Sequence, residues 1–200
     1  YALDEINAVT AEAKAHGLPV HMDGARFANA LAALDVTPAE MTWKRGVDIL
    51  SFGGTKNGCW CAEAIVFMNP DQARDMPFIR KRAAHLFSKT RFISAQFDAY
   101  LDGGLWLDLA RHSNAMAERM RRAFRAAKTA RLAWETATNE VFIILPEEAA
   151  DAARKAGAAF HNWPTPADQP DLIGEGETLI RCVTSFSTEE QEIDRFVSFL

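Results

Sequence analysis

Two hundred residues, 48% of them hydrophobic and 24% charged, suffice for one good core or two modest lobes and exclude a disordered chain. The formal charge of -5 comes without a polybasic block or an aromatic-basic stripe, so the expected partner is a small molecule and not nucleic acid. Three cysteines, Cys59, Cys61 and Cys182, do not suit a disulfide framework and point to a reducing, cytoplasmic setting, while no run approaches the ~20 apolar residues of a membrane helix.

In chain order, Leu3, Ile6, Val9 and Ala13 recur at helical spacing until His16-Gly17 supplies a stop. A short β-prone run at 19–22 delivers Asp23, and 27–34 resumes helical spacing. Thr37-Pro38-Ala39-Glu40 has the order of a capping box and starts a short helix reaching about Arg45. Strands are expected at 47–52 and 62–68, with a glycine turn between them. Strand, helix, strand implies an α/β layer. Residues 69–127 are helical in composition, broken near Pro77 and at Asp102-Gly103-Gly104, and Leu105, Leu109, Met116 and Met120 mark one face of the last helix. Strands at 131–137, 141–145 and 178–184 alternate with a helix at 147–155 and a loop containing Pro164, Pro166 and Pro170. Thr188 with Gln191 is read as the cap of a final helix. The expected organisation is 1–104 as part of a large domain, 105–130 as a linking helix and 131–200 as a small α/β domain. Tyr1 opens directly into an amphipathic pattern, as in a chain cut from a longer one.

The chemistry concentrates in Ser51-Phe52-Gly53-Gly54-Thr55-Lys56-Asn57-Gly58 and in Val20-His21-Met22-Asp23-Gly24-Ala25-Arg26. A cofactor that forms an imine needs an amine presented by a tight backbone, and a pyridine that accepts electrons needs a carboxylate beside its ring nitrogen. Lys56 and Asp23 each follow an apolar run, so both project from strand ends toward one crevice. They read as the two anchors of a pyridoxal phosphate site. Alternatives stay open at this point: Lys56 as a solvated loop residue, Asp23 as cap of the helix near Arg26, and Arg26 as its surface partner or as an anion ligand. Arg181 either faces solvent by strand alternation or is a buried anion ligand. The pattern around Lys56 lacks the spacing of a phosphate-cradling Walker loop. His16, His21, His85, His112 and His161 show no metal-ligand spacing, and Cys59-Trp60-Cys61 is read as core packing.

The run His21-Met22-Asp23-Gly24-Ala25-Arg26-Phe27-Ala28-Asn29-Ala30, followed by the segment from Asp48 to Gly58, resembles the low-specificity L-threonine aldolases. The likeness continues through 81–89, Leu105-Trp106-Leu107-Asp108-Leu109-Ala110 and the segment from Arg181 to Thr188, and so spans essentially the whole chain. It implies the aminotransferase-like, fold type I architecture of pyridoxal phosphate enzymes, here part of the large domain plus the small C-terminal domain. It further implies that Lys56 bonds the cofactor and Asp23 pairs with its ring nitrogen. Arg26 would contact the cofactor's phenolic oxygen or the substrate carboxylate, and Arg181 would grip that carboxylate. Thr55 would touch the cofactor phosphate, and Arg91 the phosphate of a neighbouring subunit. The implied reaction is retro-aldol cleavage of L-threonine or L-allo-threonine in a homodimer or homotetramer, with β-elimination, transamination or a non-catalytic module as alternatives. The family's amino-terminal part, with its phosphate-binding turn, has no counterpart here, so the chain alone is expected to bind pyridoxal phosphate poorly and to be inactive.

Overall fold

The computed structural model describes residues 1–199, which divide into two units, Tyr1–Leu109 and the described residues from Ala110 onward. In the first, helix α1 (Leu3–Ala15) ends as the sequence implies, with Gly17 at φ 65° and Leu18 N–H donating to the Ala13 carbonyl at 2.9 Å. Its inner face differs from the expected one: Ile6 and Thr10 are buried while Val9 is 54% exposed. Thr10 packs beside Gly46, at φ 88°, where a Cβ would come within 3.3 Å of Thr10 Cβ. Strand β1 (His21–Gly24) leads to α2 (Phe27–Leu34) and the short α3 (Pro38–Met41). The Thr37 capping box forms as expected, Thr37 N–H donating to Glu40 Oε2 at 2.9 Å and Glu40 N–H to Thr37 Oγ1 at 3.3 Å. These helices make the crossover that a parallel strand pair requires. Strand β2 (Ile49–Gly53) lies parallel to β1 and antiparallel to β3 (Glu63–Phe67).

Strand period divides this sheet into two faces. Leu50, Phe52 and Met22 join Ile6, Phe27, Leu31, Met41 and Val47 in one core under the helices. His21, Asp23 and Ser51 occupy the other face. Beyond β3 come α4 (Met76–Arg82) and α5 (Arg91–Leu101). Pro77 does not break a helix; it sits in the first turn of α4, where its missing N–H costs nothing. The break falls at 83–90, where Ala84 takes a positive φ of 61°.

Helix α6 (Leu105–Ala126) begins in the first unit and runs into the second. There β4 (Arg131–Leu132), β5 (Glu140–Pro146), β6 (His161–Asn162) and β7 (Glu177–Val183) form an antiparallel sheet in the order β4-β5-β7-β6, with α7 (Glu147–Lys155) and α8 (Glu190–Val197). Val141, Ile143, Leu145, Ile180 and Cys182 pack on Met120 and Phe124 of α6, Ala150 of α7 and Ile193 of α8. The reverse face buries Phe142, Ile144 and Leu179 beneath Trp134, Trp163, Leu172 and Ile173. Because β5 is covered on both sides, its five apolar residues are all buried, which explains the unbroken run. Strand β4 is shorter than the expected 131–137: Trp134 leaves the ladder to pack on Phe142, ring centroids 4.7 Å apart, and Thr136 Oγ1 closes a turn on the Glu140 carbonyl. Strand β6 has no sequence signal, being two residues beside Pro164. The cap of α8 is Glu189, boxed with Glu192, whereas Thr188 Oγ1 accepts the Ser185 N–H at 2.8 Å.

Candidate active site

Asp23 lies inside β1, with Ser51 as its register partner, one step later than a strand ending at Met22 would place it. Gly24 allows this extension. A Cβ there would stand 2.5 Å from Leu50 Cδ1 and 2.6 Å from the Ser51 carbonyl, so the two strands close tightly only around glycine. Asp23 Oδ1 accepts the Ala25 N–H at 2.9 Å. It therefore orients its own turn and does not cap α2, whose N-cap is the half-buried Arg26. The ring of His21 hydrogen-bonds Ser51 Oγ at 2.8 Å, flanking the carboxylate on the same sheet face.

The glycine turn follows directly on β2. A Cβ on Gly53 would come within 2.9 Å of Ala25 Cα and of the Ala25 carbonyl, and one on Gly54 within 2.8 Å of the Ala62 carbonyl. The turn after β1 and the turn after β2 thus approach through backbone; Asp23 sits in β1 two residues before Ala25, and Lys56 lies in the second turn. Residues Thr55–Asn57 make a single 3-10 turn closed by Gly58 at φ 120°. Thr55 and Lys56 are exposed, and Thr55 N–H donates to Glu63 Oε1 at 3.3 Å. Asn57 is turned inward and only 3% exposed. Its Nδ2 donates to Tyr100 Oη at 2.6 Å and to the Trp106 carbonyl at 2.8 Å. Burial pushes the Tyr100 hydroxyl up to about 12, so that it stays neutral as Asn57's acceptor.

The segment after the turn is not core. Trp60 is 85% exposed and Cys61 is exposed, against the packing role read from sequence. Gln96 Oε1 accepts the N–H groups of both residues, at 2.8 and 3.1 Å, so the loop is fixed by hydrogen bonds and not by burial. Cys59 is half-buried, and burial, with Glu63 adding, raises its thiol above the usual range. Arg91 opens α5, exposed, with its guanidinium 4.8 Å from the Phe92 ring centroid.

Arg181 belongs to the second unit, at the centre of β7 opposite Phe142 and His161. Alternation puts it on the Leu179 face, which is not bare solvent but the smaller apolar cluster. Its guanidinium lies 4.7 Å from the Trp163 ring centroid, and Nη1 is 3.4 Å from Glu140 Oε1. Its Nε is buried and has no hydrogen-bond partner among the described residues. Both readings made from sequence were incomplete: the side chain is one-quarter exposed, held by stacking and a loose ion pair.

Residues 1–148 match the beta-eliminating lyase family. The chain belongs to that family. It is 40% identical over 193 residues to a low specificity L-threonine aldolase of Pseudomonas sp. (strain NCIMB 10558), covering 96% of this chain and 53% of the relative. A low specificity L-threonine aldolase of Pseudomonas aeruginosa is 39% identical with the same coverage. Among solved structures, a threonine aldolase of Leishmania major superposes with a TM-score of 0.86 at 30% identity, over 99% of this chain and 55% of that one. The chain therefore spans about half the length of the relatives it matches, and it has the corresponding part of the fold type I architecture. Within this beta-eliminating lyase chain, sequence reasoning singled out Lys56 and Asp23 as candidates but not their hydrogen-bonded neighbours Asn57, His21 and Ser51. The missed signals were local: a polar residue after Lys56 inside a run of glycines, and a histidine two residues before Asp23, hence on its face.

Proposed function

We propose that the whole protein is a pyridoxal phosphate-dependent carbon-carbon lyase. It would cleave the Cα–Cβ bond of L-threonine, L-allo-threonine or a similar β-hydroxy amino acid, giving glycine and an aldehyde. The observation that carries this is the close approach of Gly53 to Ala25, which joins the turn bearing a primary amine to the end of the parallel strand bearing a carboxylate. That donor set fits an aldehyde borne on a basic ring: exposed Lys56 is accessible to a carbonyl, and Asp23 suits a protonated ring nitrogen. When bound, the cofactor supplies an electron-accepting ring. Asp23, its rotation fixed by the Ala25 N–H, holds the proton on the ring nitrogen. Arg26, at the head of α2, takes the phenolic oxygen or the substrate carboxylate. Thr55 serves the phosphate, and Arg91 the phosphate of a neighbouring subunit. Arg181, over the Trp163 ring, would hold the amino acid carboxylate and so orient the substrate for cleavage of one bond at Cα.

The identity to low specificity L-threonine aldolases supports cleavage over β-elimination or transamination. We further propose a cytoplasmic homodimer or homotetramer acting on free amino acids in threonine catabolism, with neither nucleic acid nor membrane as partner. The test is Lys56→Ala in the whole protein, assayed with threonine. Release of glycine and aldehyde, and borohydride fixation of the cofactor to the chain, should both vanish. Retained turnover removes the proposal, and a keto acid with ammonia as the wild-type products replaces it with elimination.

A further inference from the structure

Among the described residues, the exposed Thr55 and Lys56 have no buried side-chain anchor, whereas the next residue has one. In a single 3-10 turn successive side chains diverge by about 120°, so what holds Asn57 inward determines where Lys56 points outward. Asn57 uses both amide hydrogens, one on Tyr100 Oη and one on the Trp106 carbonyl. Those acceptors are themselves rigid. Tyr100 is 3% exposed, and its ring packs with Phe52 and Trp106, whose centroids lie 6.2 and 6.3 Å away. Phe52 belongs to β2, directly before the turn. The turn is thus tied at one residue to α5 and to the first turn of α6.

We propose that Asn57, through Tyr100 and the Trp106 carbonyl, is a positioning residue for the Lys56 amine. The inference rests on the reading of Lys56 as the residue that bonds the cofactor. Asn57→Asp keeps the shape of the side chain but sets an acceptor against the Trp106 carbonyl. Tyr100→Phe keeps the ring and removes one acceptor. Phe97→Leu loosens the aromatic packing on Phe52, whose ring centroid is 5.7 Å away, without touching the amide.

The experiment compares these three variants with wild type in the whole protein, loaded with pyridoxal phosphate. The readouts are thermal midpoint, visible absorbance against pH, the fraction of Lys56 fixed by borohydride (by mass spectrometry), and kcat and KM for threonine. Asn57→Asp should lower kcat about tenfold or more with little change in KM, since a misplacement of about 1 Å costs up to about a hundredfold. It should also reduce the borohydride-fixed fraction and move the absorbance midpoint. Tyr100→Phe should do the same to a smaller degree, and it carries the test alone if Asn57→Asp does not fold. Phe97→Leu should lower the thermal midpoint and leave the absorbance midpoint and the fixed fraction as in wild type. The inference is overturned if Asn57→Asp and Tyr100→Phe change only the thermal midpoint, as Phe97→Leu does. A wild-type protein with no cofactor fixed at Lys56 would instead refute the underlying functional reading.

Discussion

At the scale of single residues, the contrast between Lys56 and Asn57 shows how little a glycine-rich string reveals about direction. Both are polar neighbours in one turn, yet one is exposed and the other fully engaged. Arg181 carries the same lesson, because alternation read its face as solvent and gave no sign of the tryptophan that covers it. On the proposed function, Arg181→Ala should chiefly weaken amino acid binding, raising KM for threonine more than it lowers kcat; an unchanged KM would remove the carboxylate role. A second residue pair makes a prediction independent of function. Arg131 binds Glu177 through both oxygens, Nη2 to Oε2 at 2.8 Å, and Gly174 N–H adds a bond at 2.8 Å. The guanidinium first, then the Gly174 N–H, hold the carboxyl down at about 2, well below its ordinary value near ~4.3. A depressed folded value means stabilisation present above the ordinary value and lost as pH falls toward 2. The thermal midpoint of wild type minus that of Arg131→Met should therefore shrink from pH 5 to pH 2; a constant difference would contradict the pairing.

At the scale of elements, the turns after β1 and β2 show why the site was half legible. Apolar runs followed by Asp23 and by glycines placed both turns correctly along the chain, because strand period and glycine punctuation are local signals. Their mutual contact is not local: it depends on Ala25 filling the space that Gly53 leaves. Gly53→Ala would force a methyl group into backbone atoms 2.9 Å away. It should cost about 1–3 kcal/mol, typical of overpacking, and weaken pyridoxal phosphate binding by the whole protein. Urea unfolding and a cofactor titration check this, and wild-type values in both would mean that the turns separate at no cost. The shortened β4 and the unforeseen β6 failed for the same physical reason. Such short strands are set by what packs over them, Trp134 and Trp163, and not by their own residues.

At the scale of the whole molecule, the α/β character was visible because long periodic helices and continuous apolar strands are strong signals. The second unit is built around β5, whose core partner Phe124 of α6 is 1% exposed. Phe124→Ala should destabilise this unit by about 3–5 kcal/mol, read as a fall in the urea midpoint of its transition. A loss under about 1 kcal/mol would show that the cluster repacks without it. The sequence was silent on how β7 pairs with both β5 and β6, since the long loop between β6 and β7 conceals which strands meet.

The parallel register of Asp23 with Ser51 has a consequence for how such chains diversify. The distance along the chain from aspartate to lysine is not what the proposed chemistry measures; the ladder and the few residues after Ser51 are. The connection between α2 and β2, with Asp35 at φ 52° and the Thr37 cap, can therefore lengthen or shorten while Asp23 keeps its place in the ladder beside Ser51. One residue gained or lost within β2 cannot be absorbed in this way, because it would turn Phe52 outward and carry the lysine to the wrong side of the sheet.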